Sequence, residues 1–590
     1  MKLDLKPLLS LNLLFSLLLL LTLSAPTPAP ALAADRPTGV IGDGVADDTA
    51  AIQAALDAQG KPGGEVSLPP GLYLVRGSLR VPTGVTLRGS WDAPHHGAWD
   101  KGTTLAITGG RGREDGPAAV ELSESSSLQG VTMVWPEQKW DNIIAYPWAI
   151  HGQGMHNDVE NVTFVNAYQG IKIGIPWSEL HLIRNVFGCV LRRGILVDTT
   201  SDIGRIENVH FNEHYWARSH YPGITTGSDT PVTVYTEANL EAFIFGRTDW
   251  EYVLNTFVFG ARVGYRFIHT QAGECNGQFS GIGADGCHVG VQIDAIQSIG
   301  IQVTNGEFTT FTGEPNAGVV TAPNAGGAAQ FVNCNFWSNP GGVAQLDGNT
   351  AVTFSDCHFS DTARTGAIVA HKGRLIVHGC QFAAAGEAIV LGPNVRAAVV
   401  AENTQPGGVS VQNGIGNRAQ IGLNEMPFAL PAAQTAHYRV KIGAAGDEDY
   451  VGPGWFGGER AADAPQALKP AVSTARWAGG HAILRLPVLP GRAYTLRLWT
   501  SAPAGAPPRT FAVDGGPKVV VTHPGPQVTT LTVPAKLTAG KQAVTITVGG
   551  PTWTPAQLEP PATDNRALTA RVFAVEMAAT GSGGKAAEVN

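Results

Sequence analysis

The chain has 590 residues, with 40 Lys and Arg against 48 Asp and Glu, and its net charge at neutral pH is −8. This length predicts two to four domains, and 43% hydrophobic residues exclude a mostly disordered protein. The acidic balance argues against a nucleic-acid-binding protein, because phosphate binding requires a basic face. The 73 Gly and 39 Pro favour many short strands joined by turns over a helical bundle, and 6 Cys are too few for a disulfide-built scaffold.

The first 33 residues have the pattern of an export signal. Lys2 and Lys6 precede an apolar stretch from Leu8 to Leu23, and a small-x-small cleavage site follows at residues 31–33. A membrane anchor is the alternative, but polar residues interrupt the stretch and prolines follow it, which makes a poor spanning helix. We therefore predict a signal peptide over residues 1–33 and a secreted mature protein, extracellular or periplasmic, without stable membrane insertion.

A repeat of 23 or 24 residues runs from Val120 to about Leu423. It is marked by phenylalanines in two groups: Phe164, Phe187 and Phe211, then Phe336, Phe359 and Phe382. Within each repeat, the strand that contains the phenylalanine is followed by a turn and then by a second short strand that opens with a small residue, as in Gly170-Ile-Lys-Ile173. A fixed period of this length is typical of a solenoid, and apolar alternation with Gly and Asn turns makes each unit a β-coil. We predict an all-β fold in which residues 34–430 form a parallel β-helix.

Stacking of the coils predicts ladders of like residues. Equivalent positions on neighbouring coils lie about 4.8 Å apart, so that Phe stacks on Phe along the interior. Cys334, Cys357 and Cys380 keep the same period and are interpreted as small buried hydrophobic residues rather than metal ligands. The Asn found three residues before several of the phenylalanines suits the left-handed bend at a coil corner. Cys275 and Cys287 either stay free or form a disulfide.

The segment before the repeat carries a specific motif. It consists of Gly42-Asp-Gly-Val-Ala-Asp-Asp-Thr49, then Ala51-Ile-Gln-Ala-Ala-Leu56, Gly64–Leu74 and Leu79–Gly89. This opening resembles pectate-lyase-superfamily proteins of the rhamnogalacturonase/epimerase-like group, which also includes phage tailspike domains. The resemblance implies a right-handed parallel β-helix. A short helix, N-capped by Asp47, Asp48 or Thr49, would cover its open end, where bare strand edges would otherwise aggregate.

The resemblance also implies activity on carbohydrate, although not one reaction. Members of this superfamily act as hydrolases, lyases or epimerases, and some relatives only bind. The hydrolase branch carries an Asn-Thr-Asp, a paired Asp-Asp and a Gly-His-Gly on adjacent coils. None is intact in these coils, where Ala284-Asp-Gly286 and His288-Val-Gly290 stand instead, and the acidic calcium cluster of pectate lyases is not evident either. The reaction therefore stays open.

Candidate site residues lie on coils between about Gly170 and Asp294, where a long excursion interrupts the repeat. Such loops commonly carry function, and aromatic and acidic side chains suit sugar rings and glycosidic oxygens. Carboxylates one coil apart would have the retaining separation of about 5 Å, and two coils apart the inverting separation of about 9.5 Å. The predicted acid and base residues are Asp249, Glu251, Asp285 and His288. The predicted substrate-binding residues are Lys172, Arg193, Asp198, Trp216, Glu241, Trp250 and Arg266.

Several of these residues have a second interpretation. Lys172, Arg193 and Arg266 would hold an acidic sugar or serve as the base of a lyase, whereas each of the acids is otherwise a solvated side chain at the rim. An aromatic cluster forms either a sugar-stacking rim or core filling: Trp135, Trp140, Tyr146, Trp148 and Trp177. His151, His156 and Asp158 mimic a metal spacing, but the glycines between them favour a turn, so no metal is predicted.

A second domain is predicted over residues 431–580, where the repeat is lost. Longer alternating segments such as Ala482–Leu486 predict an antiparallel β-sandwich. The segments around Trp455 and Trp477 resemble β-sandwich accessory modules of carbohydrate-active proteins, which implies either sugar contacts or buried core tryptophans. Residues 581–590 are predicted to be a disordered tail.

Together these features predict a secreted enzyme that acts on a polysaccharide in a groove on the β-helix. Acid/base hydrolysis of glycosidic bonds is favoured, because acids outnumber plausible lyase bases in the interrupted coils. Elimination on a uronic-acid polymer, with which a calcium ion is compatible, is the first alternative. A non-catalytic glycan-binding or surface-structural protein is the second. No other cofactor is predicted, and the particular polysaccharide and the oligomeric state stay open.

Overall fold

The structure is a computed structural model that describes residues 36–91, 93–95, 97–221, 230–311, 313–362, 366–384, 387–425, 432–452, 454–461, 474–558 and 566–589. The predicted signal peptide and the predicted domain boundary at residue 431 lie outside these residues. Between residues 43 and 422, 34 strands wind into a parallel β-helix. Its coils build three parallel sheets, called sheet 1, sheet 2 and sheet 3 in the order in which the chain passes through them.

Four long strands turn corners and contribute to more than one sheet: Asp158–Glu179, Leu182–Val197, Arg205–Phe211 and Thr248–Phe259. Besides parts of these four, sheet 1 contains Gly64–Ser67, Val85–Arg88, Ser127–Gln129, Cys275–Ser280, Ile301–Thr304, Ala328–Val332, Ala351–Ser355, Arg374–His378, Ala397–Ala401 and Ala419–Gly422.

Sheet 2 contains the following parts of the four long strands, together with Asp43–Asp47, Gly71–Val75, Thr103–Ile107, Thr132–Val134, Gly283–Cys287, Glu307–Thr310, Asn335–Asn339, His358–Thr362 and Gln381–Phe382. Sheet 3 contains the ends of the first two long strands, together with Leu79–Val81, Val120–Leu122, Trp148–Met155, Glu241–Phe245, Val263–Phe267, Val289–Ile293, Ala317–Thr321, Ala344–Leu346, Ile368–Ala370, Ile389–Leu391 and Val411–Asn413.

A single residue in the left-handed conformation makes the corner between sheets 1 and 2 in several coils. Asn161, Asn185 and Asn208 have φ angles of 55°, 54° and 53°. The side-chain amide of Asn185 donates to Asn161 Oδ1 at 3.0 Å, and that of Asn208 donates to Asn185 Oδ1 at 2.7 Å. Asn tolerates this conformation and has both a donor and an acceptor, so the ladder ties neighbouring corners together. The corner role predicted for these Asn residues is confirmed.

The predicted phenylalanine ladder is confirmed in the later coils. In the earlier coils Phe164 and Phe211 lie in the interior, and the prediction is wrong for Phe187. Ring centroids 5.0, 5.6 and 4.9 Å apart join four buried residues in register: Phe308, Phe336, Phe359 and Phe382. Phe187, in contrast, pairs with Thr163 and lies half-buried on the outside against Tyr215. Gly188 takes the interior position opposite Phe164, and a Cβ there would lie 2.6 Å from the Cβ of Phe164. The interior therefore has room for only one of the two side chains.

The predicted helix covers the start of the solenoid over Thr49–Gln59, with Ile52 and Leu56 fully buried. Asp48 occupies its N-cap position, but its side chain makes no capping bond. Its carboxylate instead accepts the backbone N–H groups of Ile41 and Gly42 at 2.6 and 3.0 Å. The helix is confirmed, whereas Asp48 stabilises the preceding turn rather than the helix end.

All six cysteines are buried free thiols. Cys334, Cys357 and Cys380 lie in the interior of successive coils, so the ladder of small buried residues is confirmed. Cys275 and Cys287 lie on sheets 1 and 2 and form no disulfide.

Two further sheets follow the solenoid and share one hydrophobic core, which makes the predicted β-sandwich. The first contains His437–Lys441, Glu459–Arg460, Thr474–Ala478, Tyr494–Ser501, Gln527–Val533, Ala570–Ala579 and Ala587–Glu588. The second contains His481–Pro487, Arg509–Val513, Lys518–Val521 and Ala543–Gly549. Strand pairing within both sheets is antiparallel except for Ala587–Glu588, which lies parallel to His437–Lys441. This strand lies within residues 581–590, whose disorder stays a prediction.

The tryptophans singled out in the sandwich are half-buried. Trp455 donates its ring N–H to the carbonyl of Ile483 at 2.7 Å, and Trp477 packs edge-on against Trp553 at 5.5 Å. The short helices are His214–Ala217, Thr230–Asn239, Ala432–Thr435, Ala535–Thr538 and Pro555–Leu558, with 3-10 turns at Gly416–Arg418 and Asp447–Asp449. No helix within the described ranges has the length and apolar character needed to cross a membrane.

Candidate functional site

The outer face of sheet 3 carries a row of side chains in register from strand to strand. Along the solenoid it comprises Arg80, Glu121, His151, Lys172, Leu196, Ile244, Arg266, Gln292, Val320, Gln345, Val369, Val390 and Gln412. Neighbouring members are about 4.8 Å apart, which is the strand spacing of a sheet. The ionisable members all lie between Arg80 and Arg266. We call this part of sheet 3, with the side chains that contact it, the charged face.

Glu121 and His151 form an ion pair near the start of the charged face. His151 Nδ1 lies 2.8 Å from Glu121 Oε2, and His151 Nε2 lies 2.8 Å from the carbonyl oxygen of Gly174. Both ring nitrogens therefore face oxygen atoms, which fixes the orientation of the ring between the two strands. Burial raises the pKa of Glu121, but hydrogen bonds from His151 and the Ala118 N–H, with the charge of Lys172, outweigh it. The pKa of Glu121 is therefore below its ordinary value.

Lys172 follows His151 on the row and is its direct partner on the next strand. Its side chain is half-buried, and its ammonium group makes no hydrogen bond or ion pair with another described residue. Burial lowers the pKa of Lys172 below its ordinary value, although the carboxylates of Glu121 and Asp115 oppose the shift. Such a lysine loses its proton at a lower pH than an exposed one and can act as a base.

Arg193 lies on the strand that follows Lys172, and the side-chain amide of Gln169 holds its guanidinium group. Its Nη1 donates to Gln169 Oε1 at 3.1 Å, which leaves most of its five N–H donors unused by this contact. Gln169 is itself held by the carbonyls of Glu114 and Tyr146. In the same place the Tyr168 hydroxyl donates to Glu114 Oε1 at 2.5 Å, and burial together with Glu114 raises the pKa of Tyr168.

A buried carboxylate gathers arginines in the second half of the charged face. Glu241 is the cross-strand partner of Arg193, and its Oε1 forms ion pairs with Arg262 and with Arg266 Nη1, the latter at 2.6 Å. Arg266 also pairs with Asp294 at 2.9 Å. Burial, with the nearby charges of Arg266 and Arg192, lowers the pKa of Arg262. Two more arginines lie close by without a carboxylate contact, Arg192 on the carbonyl of Asn239 and Arg193 on Gln169, so this group of cations suits an anionic chain.

The structure places the predicted acids Asp249 and Glu251 beyond the far end of sheet 3, in the first residues of the strand Thr248–Phe259, where the chain turns into sheet 1 and Glu251 pairs with Gly277. The Asp249 carboxylate is bound by Arg247, Gln297 and Asn276, and the Arg247 hydrogen bond in particular holds the pKa of Asp249 below its ordinary value. Glu251 is fully buried and accepts from Thr248 at 2.8 Å, with His181 Nε2 2.9 Å away. The expectation that Glu251 lies at an accessible rim is therefore wrong.

Asp285 and His288 precede the near end of sheet 3, so they do not meet Asp249. Asp285 is half-buried on sheet 2 beside Phe259, where burial and the charge of Glu307 raise its pKa. The half-buried ring of His288 packs against Gly313. The four residues predicted for acid/base chemistry thus do not converge on one point, and the catalytic roles of Asp249, Asp285 and His288 stay predictions.

The remaining predicted binding residues divide by exposure. Lys172, Arg193, Glu241 and Arg266 come together on sheet 3. Asp198 is 6% exposed, and its carboxylate accepts the Arg247 backbone N–H at 2.7 Å and the Thr270 hydroxyl at 2.8 Å. Trp216 is 1% exposed, which is incompatible with the predicted contact to a sugar. Trp250 is half-buried in the turn that also contains Asp249.

The other constellations are mostly structural. Trp135, Tyr146 and Trp148 are buried and Trp140 is partly buried against the core, so core filling accounts for them, while Trp177 is 40% exposed. His151 pairs with Glu121, and no group of three or more His, Cys, Asp or Glu in the described ranges is placed to hold a metal ion. The calcium site of a pectate lyase thus has no matching set of ligands among these residues.

Among the residues of the charged face that sequence reasoning missed are Glu121, Arg262 and Asp294, and His151 was assigned to a metal-like spacing instead. The signal that identifies Glu121 and His151 is register: both stand at the outer position of short strands that precede Lys172 on sheet 3. Arg262 and Asp294 lie one residue outside their strands, where alternation gives no guidance.

The chain is therefore an all-β protein in which a parallel β-helix is followed by a β-sandwich. The family model described as "Rhamnogalacturonase A/epimerase, pectate lyase-like" matches residues 36–107, which contain the covering helix and the first coils. This match confirms the resemblance of the opening segment. No curated protein matches the chain.

Several solved structures are similar to this chain in fold. The A-module of the mannuronan C-5 epimerase AlgE6 of Azotobacter vinelandii is 15% identical, with 65% of this chain and 97% of that one covered and a TM-score of 0.38. The DFA-IIIase of Arthrobacter chlorophenolicus is 14% identical, with 67% and 97% covered and a TM-score of 0.36. A tailspike protein of the E. coli bacteriophage HK620, bound to a pentasaccharide, is 9% identical, with 88% and 92% covered and a TM-score of 0.41.

Proposed function

We propose that the charged face binds an acidic polysaccharide and that Lys172 starts cleavage of the chain by β-elimination. The family match of the opening segment supports the broader assignment to polysaccharide-active proteins. The observation that carries the specific reaction is the state of Lys172. It is half-buried, its pKa is lowered by burial, it has no fixed partner among the described residues, and it stands between His151 and the arginine-bearing strands.

The reaction needs one base and a positive environment. In a uronic-acid unit the carboxyl group acidifies the hydrogen on carbon 5, and neutral Lys172 takes that proton. The electron pair passes towards the carboxyl group and then forms the double bond between carbons 4 and 5 as the bond from carbon 4 to the glycosidic oxygen breaks. The protonated lysine can return its proton to the leaving oxygen when both lie on the same face of the ring. The step consumes no water and no second reactant.

The charges on the face match this chemistry. Arg193 lies on the strand after Lys172, three residues before the cross-strand partner Leu196, and its unused N–H donors can stabilise negative charge that develops on the carboxyl group. Arg266 lies three strands further along the row than Lys172, about 14 Å away at the strand spacing. Arg266 is therefore suited to the carboxylate of another sugar unit in the same polysaccharide. The regular strand spacing of the solenoid sets the distance between the two binding positions.

Hydrolysis through the acids predicted from sequence has weaker support. A carboxylate such as Asp249, with three side chains bound to it and a lowered pKa, is a poor proton donor. Glu251 is buried, and Asp285 lies on sheet 2. On the charged face Glu121 is held by His151, and Glu241 and Asp294 are held by arginines, so none of these three carboxylates is well placed to act as the acid of a hydrolase.

The test is an activity screen on acidic polymers. Galacturonan, alginate and glucuronan are incubated with the wild-type protein and with Lys172→Met, and both ultraviolet absorbance of unsaturated ends and new reducing ends are measured. The proposal expects both signals to rise together on one polymer with the wild-type protein only. Reducing ends without ultraviolet absorbance would indicate hydrolysis and contradict it.

A further inference from the structure

A cavity of about 150 Å³ lies at the edge of sheet 3 where its first strands begin. Its walls come from the turns between sheet 2 and sheet 3 in three successive coils, within residues 76–78, 107–119 and 135–148. These turns lead directly into Leu79–Val81, Val120–Leu122 and Trp148–Met155. The cavity is therefore continuous with the strands that carry Glu121 and His151.

The lining combines an apolar wall with two exposed cations. Trp135 and Trp148 form part of the wall, but at 1% and 8% exposed they belong to the core and close the cavity rather than offer a stacking face. Arg76 and Arg113 also line the cavity, and both are exposed at the surface. Neither guanidinium makes a hydrogen bond or an ion pair with another residue that the structure describes, although the charge of Arg76 lowers the pKa of Asp47. The arginines of the charged face near Glu241 are, in contrast, already paired with carboxylates.

The size and the chemistry of the cavity restrict its ligand. An open cavity of about 150 Å³ seats one sugar ring with its substituents directed outward, since an enclosed cavity of that volume holds benzene. An arginine that is not held in an ion pair matches a carboxylate or a sulfate with paired N–H donors. Two such arginines at one small cavity therefore point to a ring that carries an anionic group.

We infer that this cavity binds one anionic pyranose unit of the polysaccharide. Trp148 in its wall is the cross-strand partner of Gln169, which lies on the same strand as Lys172, so the bound unit is within a few sugar residues of the proposed base. The inference rests on the proposed function for the identity of the chain that extends from the cavity. The binding of an anionic ring at Arg76 and Arg113 is a property of the cavity alone.

The experiment measures binding separately from turnover. Lys172→Met is the background that prevents cleavage, and to it are added Arg76→Gln with Arg113→Gln, or Arg396→Gln as the matched control. Arg396 is an exposed arginine just before Ala397–Ala401 on a late coil, remote from the cavity. The probes are tetragalacturonate, tetramannuronate, tetraglucuronate and neutral cellotetraose, titrated by calorimetry, with thermal melting of each variant as the check on folding.

The inference expects one acidic tetrasaccharide to bind the background protein, at least tenfold weaker binding by the double variant, and unchanged binding by Arg396→Gln. Equal affinity of the double variant and the background, equal affinity for cellotetraose, or no binding of any acidic probe would overturn it. If the double variant loses binding while the wild-type protein cleaves none of the polymers, the cavity stands and the proposed function fails. If the wild-type protein eliminates a polymer but the double variant binds normally, the proposed function is supported and the inference about the cavity fails.

Discussion

His151 and Lys172 are cross-strand partners on the outer face of sheet 3, so that an imidazole bound to Glu121 and to the Gly174 carbonyl stands directly beside an ammonium group that no other described residue binds. The two residues are 21 positions apart in sequence and one coil apart in space. Burial of Lys172 outweighs the carboxylates of Glu121 and Asp115 and lowers the pKa of its amine. The neutral amine that the proposed reaction needs is therefore easier to form at this point than on an exposed lysine.

Replacement of Lys172 should abolish turnover while binding survives. A general base typically contributes about 10²–10⁴-fold to the rate, so Lys172→Met should lose at least this factor in kcat on the cleaved polymer. Lys172→Arg should not restore activity, because arginine keeps its proton at every accessible pH. Initial rates of ultraviolet absorbance and calorimetric affinity for the uncleaved polymer provide the measurements. Substantial kcat in either variant would exclude Lys172 as the base.

The pH dependence should report the protonation of Lys172. Activity should rise with pH, since the neutral amine is the active form, and the midpoint should lie below the ordinary lysine value because burial lowers the pKa of Lys172. The carboxylate of Glu121 raises that pKa, so Glu121→Gln should move the rising limb to lower pH. Glu307→Gln on sheet 2 is the matched control and should leave the limb in place. A limb that stays fixed or moves upward in Glu121→Gln would contradict the account.

Replacement of an arginine near Glu241 should weaken binding of an acidic polysaccharide. Arg266→Gln removes one cation of the group and leaves Glu241 paired with Arg262. We expect KM for the polymer to rise about tenfold and to depend less steeply on salt than in the wild-type protein, since fewer charges are screened. Rates measured over a series of NaCl concentrations test this. An unchanged KM and salt dependence would remove Arg266 from the binding face.

Replacement of Glu251 should affect stability rather than chemistry. Glu251→Ala leaves buried His181 without its partner, which costs about 1–3 kcal/mol for an unsatisfied buried group. The urea midpoint should fall in Glu251→Ala, while the exposed control Glu387→Ala should leave it unchanged. Below its unfolding transition, Glu251→Ala should retain the pH profile of the wild-type protein. A loss of kcat at unchanged stability would instead restore the catalytic role predicted from the sequence.

The fold could be predicted because its main signals are local. Asn161 and Asn185 mark corners through their own conformational preference, and the period between them places the next strand. The period could not locate Phe187, because coils of 23 and 24 residues differ by one inserted residue whose position the count does not show. Gly188 instead of Phe187 faces Phe164, and only the pairing of the strands reveals it.

The candidate site could be predicted in part for the same reason. Strand alternation identified Lys172, and with it Arg193, Glu241 and Arg266 on sheet 3. It failed for Glu251, since the burial of that carboxylate depends on His181, 70 residues earlier in the chain, and on the shape of the turn between sheets. It also failed for Glu121, which becomes a neighbour of Lys172 only when two coils stack above each other.

The most direct test of the central claim is proton NMR of the susceptible polymer incubated with the protein in D₂O. Elimination by Lys172 predicts signals of an unsaturated unit, formed with loss of the hydrogen on carbon 5, and none of these signals with Lys172→Met. Cleaved chains that keep the hydrogen on carbon 5 of every unit would show that the bond is broken by hydrolysis and that Lys172 is not the base.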